Sequence, residues 1–326
     1  MLVNWTHIGP TMVATFLASM VEFVEALTVV LAVGVVRGWR GAVMGSGAAM
    51  LVLLAIIAIL GPALTRIPLG VVQLAIGALL LLFGLRWLRK AILRAAGIIA
   101  MHDEAAIYDQ QSQALRQERV ASGGWDKLAF ATAFKITMLE GIEVVFIVIA
   151  LGAGGIGLLL PASFGALAAL VVVVSLGIVV HRPLSHIPEN TLKFVVGVLL
   201  SAFGTFWVGE GLGLAWPGED WSTLGLIAGY LVGASIVMPV CRGRAIAAPS
   251  SNRRSRPMPW LKSIFREIFG LFVDDGEAAV AILAWLVFLW LVLPHLPISP
   301  VWHSAILFAG LIAILVERAL RRARQR

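Results

Sequence analysis

Nine separate stretches of this chain are each long and apolar enough to cross a bilayer, and that feature limits what the rest can be. They lie near 11–36, 42–62, 68–88, 128–153, 157–180, 190–211, 222–241, 268–293 and 300–318. A helix needs roughly 20 apolar residues to span the hydrocarbon core. The runs are continuous rather than alternating in segments of about ten residues, so they do not read as a closed barrel. Composition agrees: 60% of the 326 residues are hydrophobic and 13% are charged, against about 25% charged in soluble domains. That balance excludes a cytosolic enzyme, a nucleic-acid-binding module and a disordered scaffold. A single cysteine, Cys241, excludes a disulfide framework, a Cys-rich zinc site and paired-thiol chemistry. The expected fold is an all-α polytopic membrane protein of about nine transmembrane helices.

The net charge of +7 follows topology rather than a nucleic-acid partner. Lys and Arg collect after spans one, three, five and seven and again at 318–326, while the alternate loops carry almost none. Cytoplasmic loops carry such an excess, so the N-terminus is expected outside and the C-terminus in the cytoplasm, in the inner (plasma) membrane. Residues 1–4 contain no basic n-region, so the first span is expected to remain uncleaved. The loop 95–126 reads as an amphipathic cytoplasmic helix; His102, Asp103 and Glu104 within it read as a solvated face before a regulatory metal site. The linker 242–266 holds seven Lys/Arg and three prolines. It reads either as a contact for anionic lipid headgroups or as an ordinary charge run that retains topology.

The first six spans contain one pattern twice. Glu22, Glu25, Val30, Ala32 and Gly34 correspond to Glu140, Glu143, Val148, Ala150 and Gly152. Upstream, Phe16 and Met20 correspond to Phe134 and Met138; downstream, Ile67-Pro68 corresponds to Ile187-Pro188. Then Gly77, Leu80, Phe83, Gly84 and Trp87 correspond to Gly197, Leu200, Phe203, Gly204 and Trp207. Three spans per copy require the second copy to be inverted, the plan of many secondary transporters, whose substrate lies near the midplane between repeats. The expected organisation is a first three-helix repeat over 1–94, a connecting loop over 95–126 and an inverted repeat over 127–212. A seventh helix follows over 213–241, then the basic linker 242–266 and an appended hairpin with a basic tail over 267–326.

Four glutamates sit near the middles of spans one and four: Glu22, Glu25, Glu140 and Glu143. A spacing of three keeps each pair on one side of its helix, and Ser19 and Thr137 extend both stripes by one turn. An acidic residue at a helix centre costs about 2.5–3.5 kcal/mol on insertion scales, so four ionised and unpaired would cost roughly 10 kcal/mol, a whole fold's stability. They must be protonated, paired or bound to a cation. An incoming divalent ion would displace the protons, which makes proton-coupled cation exchange the direct chemical expectation. Oxygen donors without His or Cys suit Mn²⁺, Ca²⁺ and Mg²⁺, tolerate Fe²⁺, and disfavour Cu⁺ and Zn²⁺. Lys135 reads as a counter-ion to Glu140 or as a side chain reaching the interface; Gln73 and Lys193 read as supporting polar residues, Met20 and Met138 as packing. A third acidic group, Asp274 and Glu277, either extends an ion path or forms an interfacial acidic turn.

Spans one to six resemble the E-x-G-D cation/proton exchanger family, which includes the Golgi manganese/calcium transporter and bacterial manganese exporters. The resemblance rests on Glu22-Phe23-Val24-Glu25, Glu140-Gly141-Ile142-Glu143 and the helix-three patterns Leu82-Phe83-Gly84-Leu85 and Ala202-Phe203-Gly204-Thr205. Glu replaces the motif Asp, and Val24 and Ile142 replace its glycine. Glu140-Gly141-Ile142-Glu143 is also similar to the R-E-G-x-E motif of oxidase-coupled iron permeases, without its arginine. The resemblance implies that the paired carboxylates bind the ion.

The expected protein is a transporter of divalent metal cations, Mn²⁺ or Ca²⁺ before others, in exchange for protons. Glu22, Glu25, Glu140 and Glu143 form its metal site, supported by Ser19 and Thr137. The alternatives are a ferrous permease, an exporter of small organic cations or amino acids, and a non-transporting scaffold. No resident cofactor, catalytic constellation or nucleic-acid partner is expected; a homo-oligomer is compatible with the sequence.

Overall fold

The computed structural model describes residues 5–64, 69–100, 104–117, 126–152, 157–180, 189–245 and 276–324. They form ten α-helices: α1 Trp5–Arg37, α2 Trp39–Leu64, α3 Leu69–Ala95, α4 Glu104–Gln117, α5 Lys127–Gly152, α6 Leu159–Val180, α7 Glu189–Gly211, α8 Ser222–Ala245, α9 Gly276–Val292 and α10 Pro300–Arg324. Seven (α1, α2, α3, α6, α7, α8 and α10) are long and apolar enough to cross a membrane. Two further expected spans take shorter or more polar form. Helix α5 is 26 residues long but carries Lys135, Glu140 and Glu143, while α9 has 17 residues. Residues 246–275, including Asp274 and all of the linker beyond Ala245, lie outside the described residues, as do His102 and Asp103.

Large apolar side chains on these helices face outward: Leu51 is 70% exposed, Ile59 69% and Ile178 65%. Water does not tolerate such continuous apolar surface, whereas lipid does. The chain is a multi-pass helical membrane protein.

The described helices divide between two compact units. The first, Met1–Arg66 with His102–Leu192, holds α1, α2, α4, α5 and α6. The second, Ile67–Met101 with Lys193–Arg326, holds α3, most of α7, α8, α9 and α10. Packing therefore gathers the first two helices of each sequence repeat into one unit and the third helices into the other.

In the first unit α1 packs along α6 and α2 along α5. Glycines permit the close approach. A Cβ at Gly45 would strike the carbonyl oxygen of Phe130 and press on the Phe134 amide; one at Gly165 would strike the carbonyl oxygen of Met12 and press on the Phe16 amide. Small residues of this kind let membrane helices pack backbone to backbone. In the second unit α3 and α7 run antiparallel. Gly77 lies on Val208, Gly84 on Ser201, Gly197 on Leu88 and Gly204 on Leu81. Tyr230 of α8 shares a 2.8 Å hydrogen bond with Thr205 of α7 and meets the ring of Phe308 of α10 edge-on.

Helix α4 realises the amphipathic segment expected in the loop 95–126; its Leu115 joins a buried cluster with Val33, Ala129 and Ala133. There the end of α1 is tied to the start of α5. Arg37 donates to both carboxylate oxygens of Asp126, at 2.8 and 3.2 Å, and to the Leu115 carbonyl at 3.4 Å. Asp126 also accepts from the amides of Leu128 and Ala129, capping α5. Loss of solvent pushes the Asp126 carboxyl up, but the Arg37 and amide hydrogen bonds, with the guanidinium charge, outweigh it and hold it below its ordinary value. The folded protein thus binds this proton less readily than the unfolded chain. The clasp contributes fully above the unfolded carboxyl's titration and is lost as pH falls through the folded one. Asp126→Asn is expected to cost about 2 kcal/mol at pH 7, measured by denaturant unfolding of the detergent-solubilised protein. Wild type and variant should converge as the pH is lowered; an equal gap at acidic pH would overturn the assignment.

Candidate metal centre

Glu22 and Glu140 lie midway along two long helices whose backbone carbonyls are engaged in helical hydrogen bonds. A ligand there can be offered only side-chain oxygens. Glu22, Glu140 and Glu143 are all buried, and one carboxylate oxygen from each lies within 4.8 Å of the others. Two oxygens on opposite sides of a Ca²⁺ ion stand about 4.8 Å apart, given Ca–O distances near 2.4 Å, and about 4.2 Å apart around Mg²⁺. The trio can therefore surround one hard cation with little adjustment.

Three carboxylates cannot all be ionised at this separation in a low-dielectric setting without a compensating charge. Protons shared between them, or a cation, must supply it. Valine and alanine surround Glu22 on its own helix, with Ala18, Val21 and Val24 all buried.

The structure brings together three of the four glutamates expected to form the site. Glu25 is only half-buried and stands outside the trio. Three residues along a helix turn through about 300°, so Glu25 is set off from Glu22 by about 60° in azimuth and 4.5 Å along the axis.

Ser19 and Thr137 take different roles. Thr137, one turn before Glu140, donates to Ser46 Oγ of α2 at 3.1 Å. Ser19, one turn before Glu22, is completely buried, and its hydroxyl has no hydrogen-bond partner among the described residues; neither has Glu22 Oε1. In the register that matches Gly45 with Gly165, the position matching Ser46 is Ala166, which removes the acceptor from Ser19's side. Two orphaned oxygens on consecutive turns of α1 are what an oxygen-binding ligand would satisfy.

Met20 packs with Val24 and Val173, as expected. Lys193 lies over the Trp87 ring at 5.5 Å. Glu277 is exposed and accepts from Arg318. Sequence reasoning missed Ser46, hidden in the packing run Gly45-Ser46-Gly47, and missed Arg37 with Asp126, whose pairing spans 89 positions.

No protein-family profile, curated protein or solved structure matches this chain.

Proposed function

We propose that the protein is a secondary transporter that moves a divalent metal cation across the membrane in exchange for protons. The observation that carries this is the convergence of Glu22, Glu140 and Glu143, buried in mid-helix, with oxygens close enough to share one ion. A charge-neutralising ligand is required there, and protons and a hard cation are interchangeable ligands of such a set. Oxygen-only donors favour Mn²⁺ or Ca²⁺, and the resemblance to the E-x-G-D exchangers points the same way. Ser19 completes the donors on α1, and Thr137 with Ser46 holds the approach of α5 to α2.

The transport cycle in this reading rests on two inverted three-helix repeats, α1–α3 and α5–α7, with the N-terminus outside and the C-terminus cytoplasmic. Matched packing supports it: Gly45 meets Phe130 and Phe134, and Gly165 meets Met12 and Phe16, the residues that correspond to them in the sequence repeat. Gly77 on Val208 and Gly197 on Leu88 form a second matched pair. Rocking one set of helices against another would alternate access to the glutamates.

The test is flux in proteoliposomes carrying a metal-sensing dye and a pH dye, challenged with Mn²⁺, Ca²⁺ and Fe²⁺. Metal entry with opposite proton movement is expected, with Mn²⁺ or Ca²⁺ the best substrate. Preference for Fe²⁺ without proton counterflow would favour a ferrous permease. No metal-dependent signal from folded protein would reject metal transport.

A further inference from the structure

The two ends of the helix pair that carries the glutamates are built differently, and the difference lies where an exchanger must open and close. Arg37 ends α1 fifteen residues after Glu22, and Asp126 caps α5 fourteen residues before Glu140. At 1.5 Å per residue, their ion pair stands about 21–22 Å along both helices from the glutamates. The Arg37 side chain is enclosed, at 3% exposure, and reaches the Leu115 carbonyl of α4 as well as Asp126. Between the pair and the glutamates, Val29 and Val33 of α1, Ala42 of α2, Leu115 of α4, and Ala129 and Ala133 of α5 form one buried cluster. A route from the glutamates along α1 and α5 to this end meets that cluster and then the ion pair.

The opposite end lacks these parts. In the register that matches Glu22 with Glu140, the positions corresponding to Arg37 and Asp126 are Gly155 and Ile8. Neither can make an ion pair. Ala129 and Ala133 correspond to Thr11 and Thr15, both buried. Helix α4 lies in the connection between the repeats, and no segment is matched to it. Two matched repeats by themselves give two ends that close with similar contacts. A charge-assisted pair at only one end breaks that balance, because hydrogen bonds between ionised groups are roughly twice as strong as neutral ones. A contact made in one state and broken in the other shifts the equilibrium by its own free energy.

We infer that the Arg37–Asp126 pair, together with α4, is a latch that holds this end of the pathway closed and biases the resting protein against opening there. The inference rests on the exchanger proposed above, in which the helices bearing the glutamates rock apart. Separating α1 from α5 at this end breaks both hydrogen bonds of the pair and opens the cluster around Leu115. Separating them at the other end breaks no corresponding pair.

The experiment uses the full chain in detergent without added metal, and a charged maleimide as the probe. Ala133→Cys reports on the latched end and Thr15→Cys on the corresponding position at the other. Both native side chains are fully buried, so each reporter reacts only when its end opens. Labelling is read by intact-protein mass spectrometry against the parent chain, whose own Cys241 is buried. Adding Asp126→Asn should move the ratio of the two labelling rates toward Ala133→Cys by about tenfold or more. Arg37→Gln should move it likewise. Because that variant leaves Asp126 to cap α5, it separates the latch from the cap and decides the matter should Asp126→Asn fail to fold. A ratio that moves by less than about threefold overturns the latch, since loosening of the whole protein speeds both sites alike. So does a shift with Asp126→Asn and none with Arg37→Gln, since that describes a helix cap. Failed metal flux beside a shifted ratio would reject the exchanger but not the latch, and an unmoved ratio beside working flux would do the reverse.

Discussion

Glu22→Gln, Glu140→Gln and Glu143→Gln should each reduce metal flux by about 100-fold or more while leaving the folded protein as stable as wild type or more so. The two halves of that result carry different information. Glutamine is nearly isosteric with a protonated glutamate but cannot give up a proton or balance a divalent charge. Losing one carboxylate of three removes a ligand, a negative charge and a proton carrier together. In the metal-free protein, however, the same change removes one of three groups that repel one another at the separations seen here. Strain held at a functional site and relieved by mutation gives lost activity with gained stability. Glutamates that merely anchored the helices would behave the other way, with stability falling and any flux surviving. The measurements are initial flux rate in proteoliposomes and melting temperature in detergent, made on the same preparations. Glu25→Gln provides the contrast: half-buried and outside the trio, it should reduce flux by less than about tenfold. If Glu25→Gln proved as damaging as Glu22→Gln, the site would hold four carboxylates in its working form, and the assignment of three would fail.

The difference between Glu22 and Glu25 also shows what the sequence could and could not convey. An acidic residue in an apolar run is conspicuous because burying it is expensive, so all four glutamates stood out. Which of them converge depends on a rotation of about 60° between neighbours on one helix and on how α1 and α5 meet, and neither is encoded in a spacing of three. The same limit hid Ser46. A serine between two glycines reads as packing, and only the approach of α2 to α5 turns it into Thr137's acceptor. Arg37 was legible as a topology-setting charge but not as half of a clasp, because nothing local links it to Asp126 across 89 positions. Helix existence was the most legible property, since the bilayer imposes its length on each apolar run. The grouping of α1, α2, α5 and α6 into one unit, with α3 and α7 in the other, follows from glycine contacts whose partners lie far away in the chain.

Those contacts supply the second large effect. Gly45→Leu and Gly165→Leu should each destabilise the protein by more than about 3 kcal/mol, at or above the usual range for overpacking. The atoms in the way explain the size. At Gly45 the obstacle is the Phe130 carbonyl oxygen and at Gly165 the Met12 carbonyl oxygen; a backbone atom cannot rotate aside as a side chain can. Accommodation requires α2 to move off α5, or α6 off α1, which also disturbs the helices bearing the glutamates. Gly47 is the internal control, two residues away on the same helix: it is exposed, and nothing lies within 4 Å of an added Cβ. There Gly47→Ala should stabilise by about 0.5–1 kcal/mol through helix propensity alone, whereas Gly45→Ala and Gly165→Ala should destabilise despite the same gain. The opposite signs within three residues test the packing, and the comparison between Gly45 and Gly165 tests the repeat. Because their obstacles occupy corresponding positions, the two alanine variants should lose stability to within about 1 kcal/mol of each other. A neutral Gly165→Ala beside a damaging Gly45→Ala would mean that α1 and α6 do not meet as α2 and α5 do, and the inverted-repeat reading would have to be given up even if transport were established.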